Sequence, residues 1–219
     1  MCPVTRLSDP LPDATDAPSG AEPTLSELFA TSTLDGAVTG FACAQLARFA
    51  EDPRPVVWIQ DRLSRREAGR PCIAGLPRGL KLLYVRANRP VDVLWSMEES
   101  LYSDGICAVI AEVWGDPAVL DFTATKRIAL RAEARATPAL LLRRAATANL
   151  SAARLRWRIG ALPALPDPYD ARAPGVPQWQ AELFRARSRA PGTWVAQPAD
   201  GALSLTHPVA AQAPQRATA

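Results

Sequence analysis

Three groups of side chains in this sequence have types and spacings that bear on chemistry. The first is the small-residue loop TSTLDGAVT, residues 31 to 39, which leads into a segment with helical spacing. A loop that cradles phosphate has the form GxxxxGK[ST]: backbone amides hold the phosphates, the lysine reaches the terminal ones and the hydroxyl holds magnesium. Laid on that pattern, Thr31 takes the place of the first glycine, Gly36 the second, Ala37 the lysine and Val38 the hydroxyl. Asp35 precedes Gly36, and Thr39 offers a hydroxyl one position late, while nothing nearby restores the lysine. Two readings fit this loop: a connection that has lost its phosphate chemistry, or a weak anion site made by amides at a helix N-terminus.

The second group is Glu112 and Asp116, at the end of the apolar run GICAVIAEVWGDP. Asp116, before Pro117, has the pattern of a helix N-cap. Glu112 lies inside an apolar strand and needs a partner there; Arg86 or Arg143, at neighbouring strand ends, can supply one. The third group is Arg143, Arg144, Arg154, Arg156 and Arg158, which flank the polar loop RAATANLSA. Arginines so placed suit sequence-blind contacts to phosphate, and equally the open face of an edge strand, where charge opposes aggregation. Asp61 and Glu67 stand among Arg65, Arg66 and Arg70, the composition of a solvated helix face.

The elements that must position these groups follow from the apolar pattern. The runs PVVWIQ, LKLLYVRA, GICAVIAEV and PALLLRR are continuously apolar, as strands covered on both faces by helices are. Between them lie segments of helical period: one from Asp61, one over 91–101 and the longest over 120–137. These features predict an α/β fold with a mostly parallel central sheet flanked by helices. TLSELFA, before the loop, fits a short helix or a strand. Leu155, Trp157 and Ile159 alternate with Arg154, Arg156 and Arg158, which predicts a strand with one wet face.

Residues 1–23 are rich in Pro, Asp, Ala and Thr and are expected to be a disordered tail. Residues 24–162 form the expected α/β domain, followed over 163–197 by a proline-dense arm that packs through Leu165 and Tyr169 and ends in a short helix, QWQAELFRAR. A second disordered tail is expected over 198–219. Aromatic and arginine anchors concentrate at interfaces, so Trp179, Phe184, Arg185 and Trp194 in the arm are the candidate partner interface.

The chain has 219 residues, 48% of them hydrophobic and 21% charged, which suits one sizeable core. No apolar run reaches the ~18 residues of a membrane helix, and no signal-peptide pattern opens the sequence, so a cytoplasmic protein with no membrane partner is expected. Lysine occurs only at Lys81 and Lys126, so arginine carries nearly all the basic charge, and the net charge of +3 does not by itself indicate nucleic acid. The four cysteines lack CxxC spacing and read as free thiols. With His207 as the single histidine, no metal site is expected.

A small-residue loop before a helix, then alternating strands and helices, a central strand, a long helix, a strand and an arginine-rich strand is the order of the RecA-type ATPase core. More narrowly, the runs LSELFATSTLDGAVTGFA, WIQDRLSRREAGR, DVLWSMEESL, AVIAEVWGDP, LDFTATKRIALRAE, PALLLRR, NLSAARLRWRI and DPYDARAPGVPQWQAELFRARS resemble the ImuA family of RecA-like mutagenesis-cassette proteins, over residues 24–195. The resemblance implies an accessory protein of DNA-damage-induced (SOS) mutagenesis. Such a protein acts with ImuB, a polymerase-like clamp-binding hub, and with an error-prone replicative-type polymerase in translesion synthesis; RecA and DNA are further implied partners. It also places Glu112 and Asp116 where RecA-like enzymes hold the magnesium water, and the loop between Arg144 and Arg154 where RecA contacts DNA. With the lysine and hydroxyl positions lost, no enzymatic activity and no cofactor are expected beyond weak ATP binding. Two alternatives stay open: a divergent DNA-stimulated ATPase that remodels RecA filaments or DNA, and a cell-division inhibitor, since members of this family were also labelled SulA-like.

Overall fold

The computed structural model describes residues 21–170 and 172–208. Of the tails expected over 1–23 and 198–219, residues 1–20 and 209–219 lie outside the described residues, and Ala21 is buried in the core rather than part of a tail. Among the described ones, strands β1 (Leu25–Ala30), β2 (Val56–Gln60), β3 (Leu82–Arg86), β4 (Ala108–Trp114), β5 (Ala139–Arg144), β6 (Leu155–Leu162), β7 (Gln178–Ala186), β8 (Gly192–Ala199) and β9 (Ala202–Thr206) form one sheet. Its order is β3-β2-β4-β5-β1-β6-β7-β8-β9. All pairings from β3 across to β6 are parallel, and β6 through β9 continue as an antiparallel meander. The helices are α1 (Ala37–Leu46), α2 (Arg62–Ala68), α3 (Pro90–Ser100) and α4 (Phe122–Ala134). The element order expected of a RecA-like core is present from β1 to β6.

The sheet separates two apolar layers. Phe41 and Val38 of α1 pack on one face against Leu28, Trp58, Ile110, Leu140 and Trp157. Val93, Leu94 and Met97 of α3 and Ile128 and Ala129 of α4 pack on the other, against Val57, Ile59, Val109 and Leu141. Burying each large aliphatic or aromatic side chain stabilises by about 1.5–3 kcal/mol relative to leaving it in water. Buried on both faces, β2, β4 and β5 have the continuous apolar character their sequences show. β3 departs from that reading: it is the sheet's edge, and its Leu83 is 53% exposed.

Four expectations are corrected. The segment QWQAELFRA is strand β7, not a helix, because Trp179, Ala181 and Leu183 alternate with more exposed neighbours and enter the α1-side core. The region from 198 is not wholly a tail: β8 and β9 form a hairpin whose turn contains Gly201 at φ +66°, and Leu203 is buried. The face of β6 that carries arginines is not wet throughout, since Arg156 is 3% exposed. The arm does not pack through Tyr169, which is 97% exposed, and Leu165 is exposed too.

The meander matters because it wraps α1. Phe41 meets Trp157 at 5.7 Å and Trp179 at 6.2 Å between ring centroids, and Trp157 meets Trp194 at 5.9 Å. Gly40 lets the helix approach this closely: a Cβ there would lie 2.7 Å from Cζ2 of the buried Trp179 ring. Gly40→Ala should therefore lower the urea midpoint, although alanine favours helix over glycine by about 1 kcal/mol. In a double-mutant cycle with Trp179→Leu, which removes the obstructing ring, the loss should disappear. Equal losses in both backgrounds would show that the contact is not what limits residue 40.

Candidate functional site

The loop between β1 and α1 lies at the carboxyl ends of the parallel strands, where ligands of such sheets bind. Its backbone is held by its own residues. The Thr31 hydroxyl and amide both donate to the Ile159 carbonyl, at 3.1 and 3.0 Å. The Leu34 amide donates to Ser32 Oγ at 3.2 Å, and the Ala37 amide to Asp35 Oδ1 at 3.0 Å. Thr31, in the first glycine's place, faces Gly160, where a Cβ would come within 2.7 Å of Thr31 Oγ1. Ala37 and Val38 are buried in the α1-side core and line no cavity with Thr39.

Arg144, from the end of β5, reaches into this loop. Its Nη1 donates to the Asp35 carbonyl at 2.9 Å and its Nη2 to Thr39 Oγ1 at 2.5 Å. The loop thus turns a carbonyl and a hydroxyl oxygen toward a cation of the same chain. A cavity of about 360 Å³ remains beside it, lined by Asp35, Gly36, Thr39, Glu67, Arg70, Glu112 and Arg144 among others. Three carboxylates face two guanidiniums there, an unfavourable surrounding for a polyphosphate.

Glu112 is 3% exposed and on the same side of the sheet. Its Oε1 accepts from Trp58 Nε1 at 2.7 Å and from Gln60 Nε2 at 3.0 Å; Gln60 in turn accepts from the Tyr84 hydroxyl at 2.7 Å and donates to the Gly69 carbonyl. Neither Arg86 nor Arg143 is its partner. Arg144 Nε is the nearest cation, 3.9 Å from Oε2, and both atoms lack a hydrogen bond. Burial pushes the Glu112 carboxyl above the ordinary range, against the opposing pull of Trp58, Arg144 and Gln60. Burial, with Glu112 nearby, also lifts the Cys43 thiol to about 12, so it stays protonated and is no nucleophile. Asp61 is not on a solvated face: it is buried, its Oδ1 accepts from the Ser64 amide at 2.6 Å, and it caps α2.

Asp116 does not cap α4. Asp121 does, accepting from the Ala124 amide at 2.7 Å. Asp116 instead takes Arg143 Nη2 at 2.7 Å and the Thr147 hydroxyl at 2.6 Å, tying the loop after β4 to the loop after β5. It lines a cavity with Glu27 and Arg143, whereas Glu112 lines the one beside Arg144, so the structure does not bring the two acidic residues together. Among the described residues there is no cluster of three or more His, Cys, Asp or Glu that could hold a metal.

The five arginines do not make one open patch. Arg143, Arg144 and Arg156 are each no more than 5% exposed. Arg156 Nε bonds Glu27 Oε2 at 2.7 Å and its Nη2 donates to the Asn149 carbonyl at 2.8 Å; Arg143 Nη1 lies 3.5 Å from Glu27 Oε1. Burial lowers the affinity of Arg143 for its proton, opposed by the charges of Glu27 and Asp116. Arg154 is paired with Glu133, and Arg158 with Glu182 at 3.0 Å, over the Phe184 ring. Trp179 and Trp194 are core residues, Phe184 is half-buried against Phe29, and Arg185 alone of the candidate interface is exposed. Sequence reasoning missed Glu27, Trp58 and Gln60; the rule applied to Glu112, a carboxylate within an apolar strand, applies equally to Glu27 in LSELFA.

No helix among the described residues is long and apolar enough to cross a membrane. No family model matches the sequence. Two relatives are named Protein ImuA, from Caulobacter vibrioides strains NA1000 / CB15N and ATCC 19089 / CIP 103742 / CB 15. Each is 31% identical over 175 residues, spanning 74% of this chain and 68% of the relative.

The environment of Glu112 sets a pH dependence. Because its carboxyl is raised in the folded state, its contribution is fully present below the ordinary glutamate range and is lost as pH rises through the folded-state value. Glu112→Gln keeps an acceptor for Trp58 and Gln60 and has nothing to ionise. Chemical denaturation from pH 4.5 to 8 should show a fall in stability for the native chain relative to Glu112→Gln; parallel curves would show that Glu112 does not titrate there.

Proposed function

The chain belongs to the ImuA family, and we propose that it is a nonenzymatic RecA-like adaptor of damage-induced mutagenesis. In this reading it is a cytoplasmic protein that joins an ImuB-like, polymerase-related partner to an error-prone replicative-type polymerase during translesion synthesis.

The observation that carries the nonenzymatic part is the bond of Arg144 to the Asp35 carbonyl and the Thr39 hydroxyl. Phosphate loops present amides inward. Here two of the loop amides are spent on Ser32 and Asp35, and the oxygens of Asp35 and Thr39 are turned onto a tethered guanidinium. No lysine stands at 37, Val38 has no hydroxyl, and Asp61 is occupied as a cap. The lysine and the magnesium-holding hydroxyl of a phosphate loop are therefore without their residues, which supports a nonenzymatic reading. What such a fold retains is surface, and an adaptor is a function of surfaces. The arginines of β5 and β6 give DNA a small role in this reading, since three are internal and two are paired.

Two measurements on the full chain test it. An intact site, with ATP and magnesium at a hundredfold over the dissociation constant, adds about 2.7 kcal/mol, or several degrees; the expected thermal shift is none, and no ATP turns over with single-stranded DNA present. A tagged full chain should capture the ImuB-like partner equally with and without ATP. Turnover, or capture that requires nucleotide, would replace the adaptor with a DNA-stimulated ATPase.

A further inference from the structure

Some exposed arginines of this protein carry an acidic partner, as Arg127 does with Glu98, Arg135 with Asp104 and Arg158 with Glu182, and others, such as Arg62, Arg78 and Arg86, form no ion pair among the described residues. In one region unpaired cations stand together beside exposed apolar side chains. Between α4 and the ends of β6 and β7 runs a groove of about 270 Å³ whose walls include Phe122, Lys126 and Leu130 on one side and Arg154, Arg185 and Arg187 on the other. Residues 122, 126 and 130 are spaced by four, so they form one stripe along α4, about 12 Å long at 1.5 Å per residue. That stripe reads apolar, cationic, apolar, and it is uncovered: Phe122 is 42% and Leu130 49% exposed.

Opposite it, Arg185 and Arg187 are exposed at the end of β7. Among the described residues, Lys126, Arg185 and Arg187 have no carboxylate within 4 Å. The nearby acid, Glu133, is bonded by Arg154 and the Thr24 hydroxyl, and its charge also reaches Arg187 without an ion pair. The groove thus offers three cations that hold no ion pair around two wet apolar side chains. Charge of one sign beside exposed apolar surface marks an interaction site and states the complement it fits.

We infer that this groove docks an acidic peptide segment of a partner protein, with carboxylates on Lys126, Arg185 and Arg187 and one apolar side chain seated between Phe122 and Leu130. A nucleic-acid strand matches less of the wall. Phosphates would satisfy the cations and a base can stack on Phe122, but Leu130 has no π face and would stay wet. An acidic segment with an aliphatic or aromatic anchor covers both halves. The inference deepens the adaptor reading and rests on it, by giving the chemistry of one partner contact.

The probe is a fluorescent twelve-residue peptide of Asp and Glu with one central Leu, titrated by anisotropy onto the full chain, with a single-stranded oligonucleotide of equal charge in parallel. The peptide should bind saturably. Arg185→Glu with Arg187→Glu should weaken it by roughly tenfold or more, and Leu130→Ser should weaken it at every salt concentration, while the thermal midpoints of these surface variants stay near that of the native chain. Absence of saturable peptide binding overturns the proposal. So does oligonucleotide binding that is tighter than the peptide's and indifferent to Leu130→Ser, which makes the groove a nucleic-acid site. Peptide binding that appears only after Asp9, Asp13 and Asp16 are changed to Asn makes the chain's own segment the occupant. Capture of the ImuB-like partner without peptide binding removes the groove alone; failure of capture removes the adaptor reading.

Discussion

Glu27 is a carboxylate with no exposure to solvent, and much of the site's arrangement follows from how that charge is held. Taking a lone carboxylate out of water costs several kcal/mol, and removing one member of a buried pair costs about 3–5 kcal/mol because the other is left uncompensated. Glu27 sits on β1, between β5 and β6, and answers the problem with Arg156 from one neighbour and Arg143 from the other. Each arginine then passes the constraint outward. Arg156 fixes the loop after β5 through the Asn149 carbonyl, and Arg143 fixes the loop after β4 through Asp116 and the Gly115 carbonyl. The two loops that close the carboxyl end on the α4 side are thereby registered on a single buried charge. Phe29 lies beneath both guanidiniums, 5.4 and 5.2 Å from its ring centre, which covers their faces while their edges stay hydrogen-bonded.

The other side of the sheet reaches order differently. Around α1 the contacts are aromatic and apolar, contributed by the parallel core and by the antiparallel meander together, so the core and the C-terminal strands are one packing unit. The buried charges of this side gather at the carboxyl end, where Trp58, Gln60 and Tyr84 surround Glu112 and Arg144 crosses to the β1–α1 loop. An arginine at consecutive positions of β5 therefore serves both sides: Arg143 turns to Glu27 and Arg144 to the loop. The neighbouring pair is not a patch of charge but two pins on opposite faces of one strand.

The central architecture was legible because it rests on the bluntest signal, continuous apolar runs bounded by turns. β2, β4 and β5 and the helices between them follow from it directly. β3 shows its limit, since such a run does not say which strand is outermost. The strand β7 was harder because Gln, Glu, Leu and Ala favour helices in isolation, and only burial of Trp179, Ala181 and Leu183 by α1 decides for a strand. Alternation in β6 correctly told that its two faces differ. It could not tell that Arg156 on the arginine-bearing face is buried against Glu27 and the loop at Asn149 while Arg158 stays exposed, because alternation separates two surfaces without saying that either meets water. The buried role of Arg156 needed Glu27, 129 residues away, and no local pattern joins residues at that separation. Glu112 was legible as a buried acid but its partners were not, since indole and amide donors leave no charge pattern to search for.

Thr31 and Gly160 share one space between neighbouring strands, and that sharing ties the β1–α1 loop to β6. Where a phosphate loop keeps a glycine, this chain has a threonine, and the missing Cβ is found instead across the sheet on β6. Ala37 is buried, so a lysine there would have to find a path out of the core, and Arg144 already holds the oxygens beside it. Each of these replacements fits only in the company of the others. A lysine introduced at 37 alone would bring a charge into packed apolar surroundings while Arg144 kept the loop's oxygens, so positions 31, 37, 144 and 160 behave as one unit of packing and charge rather than as four separate choices.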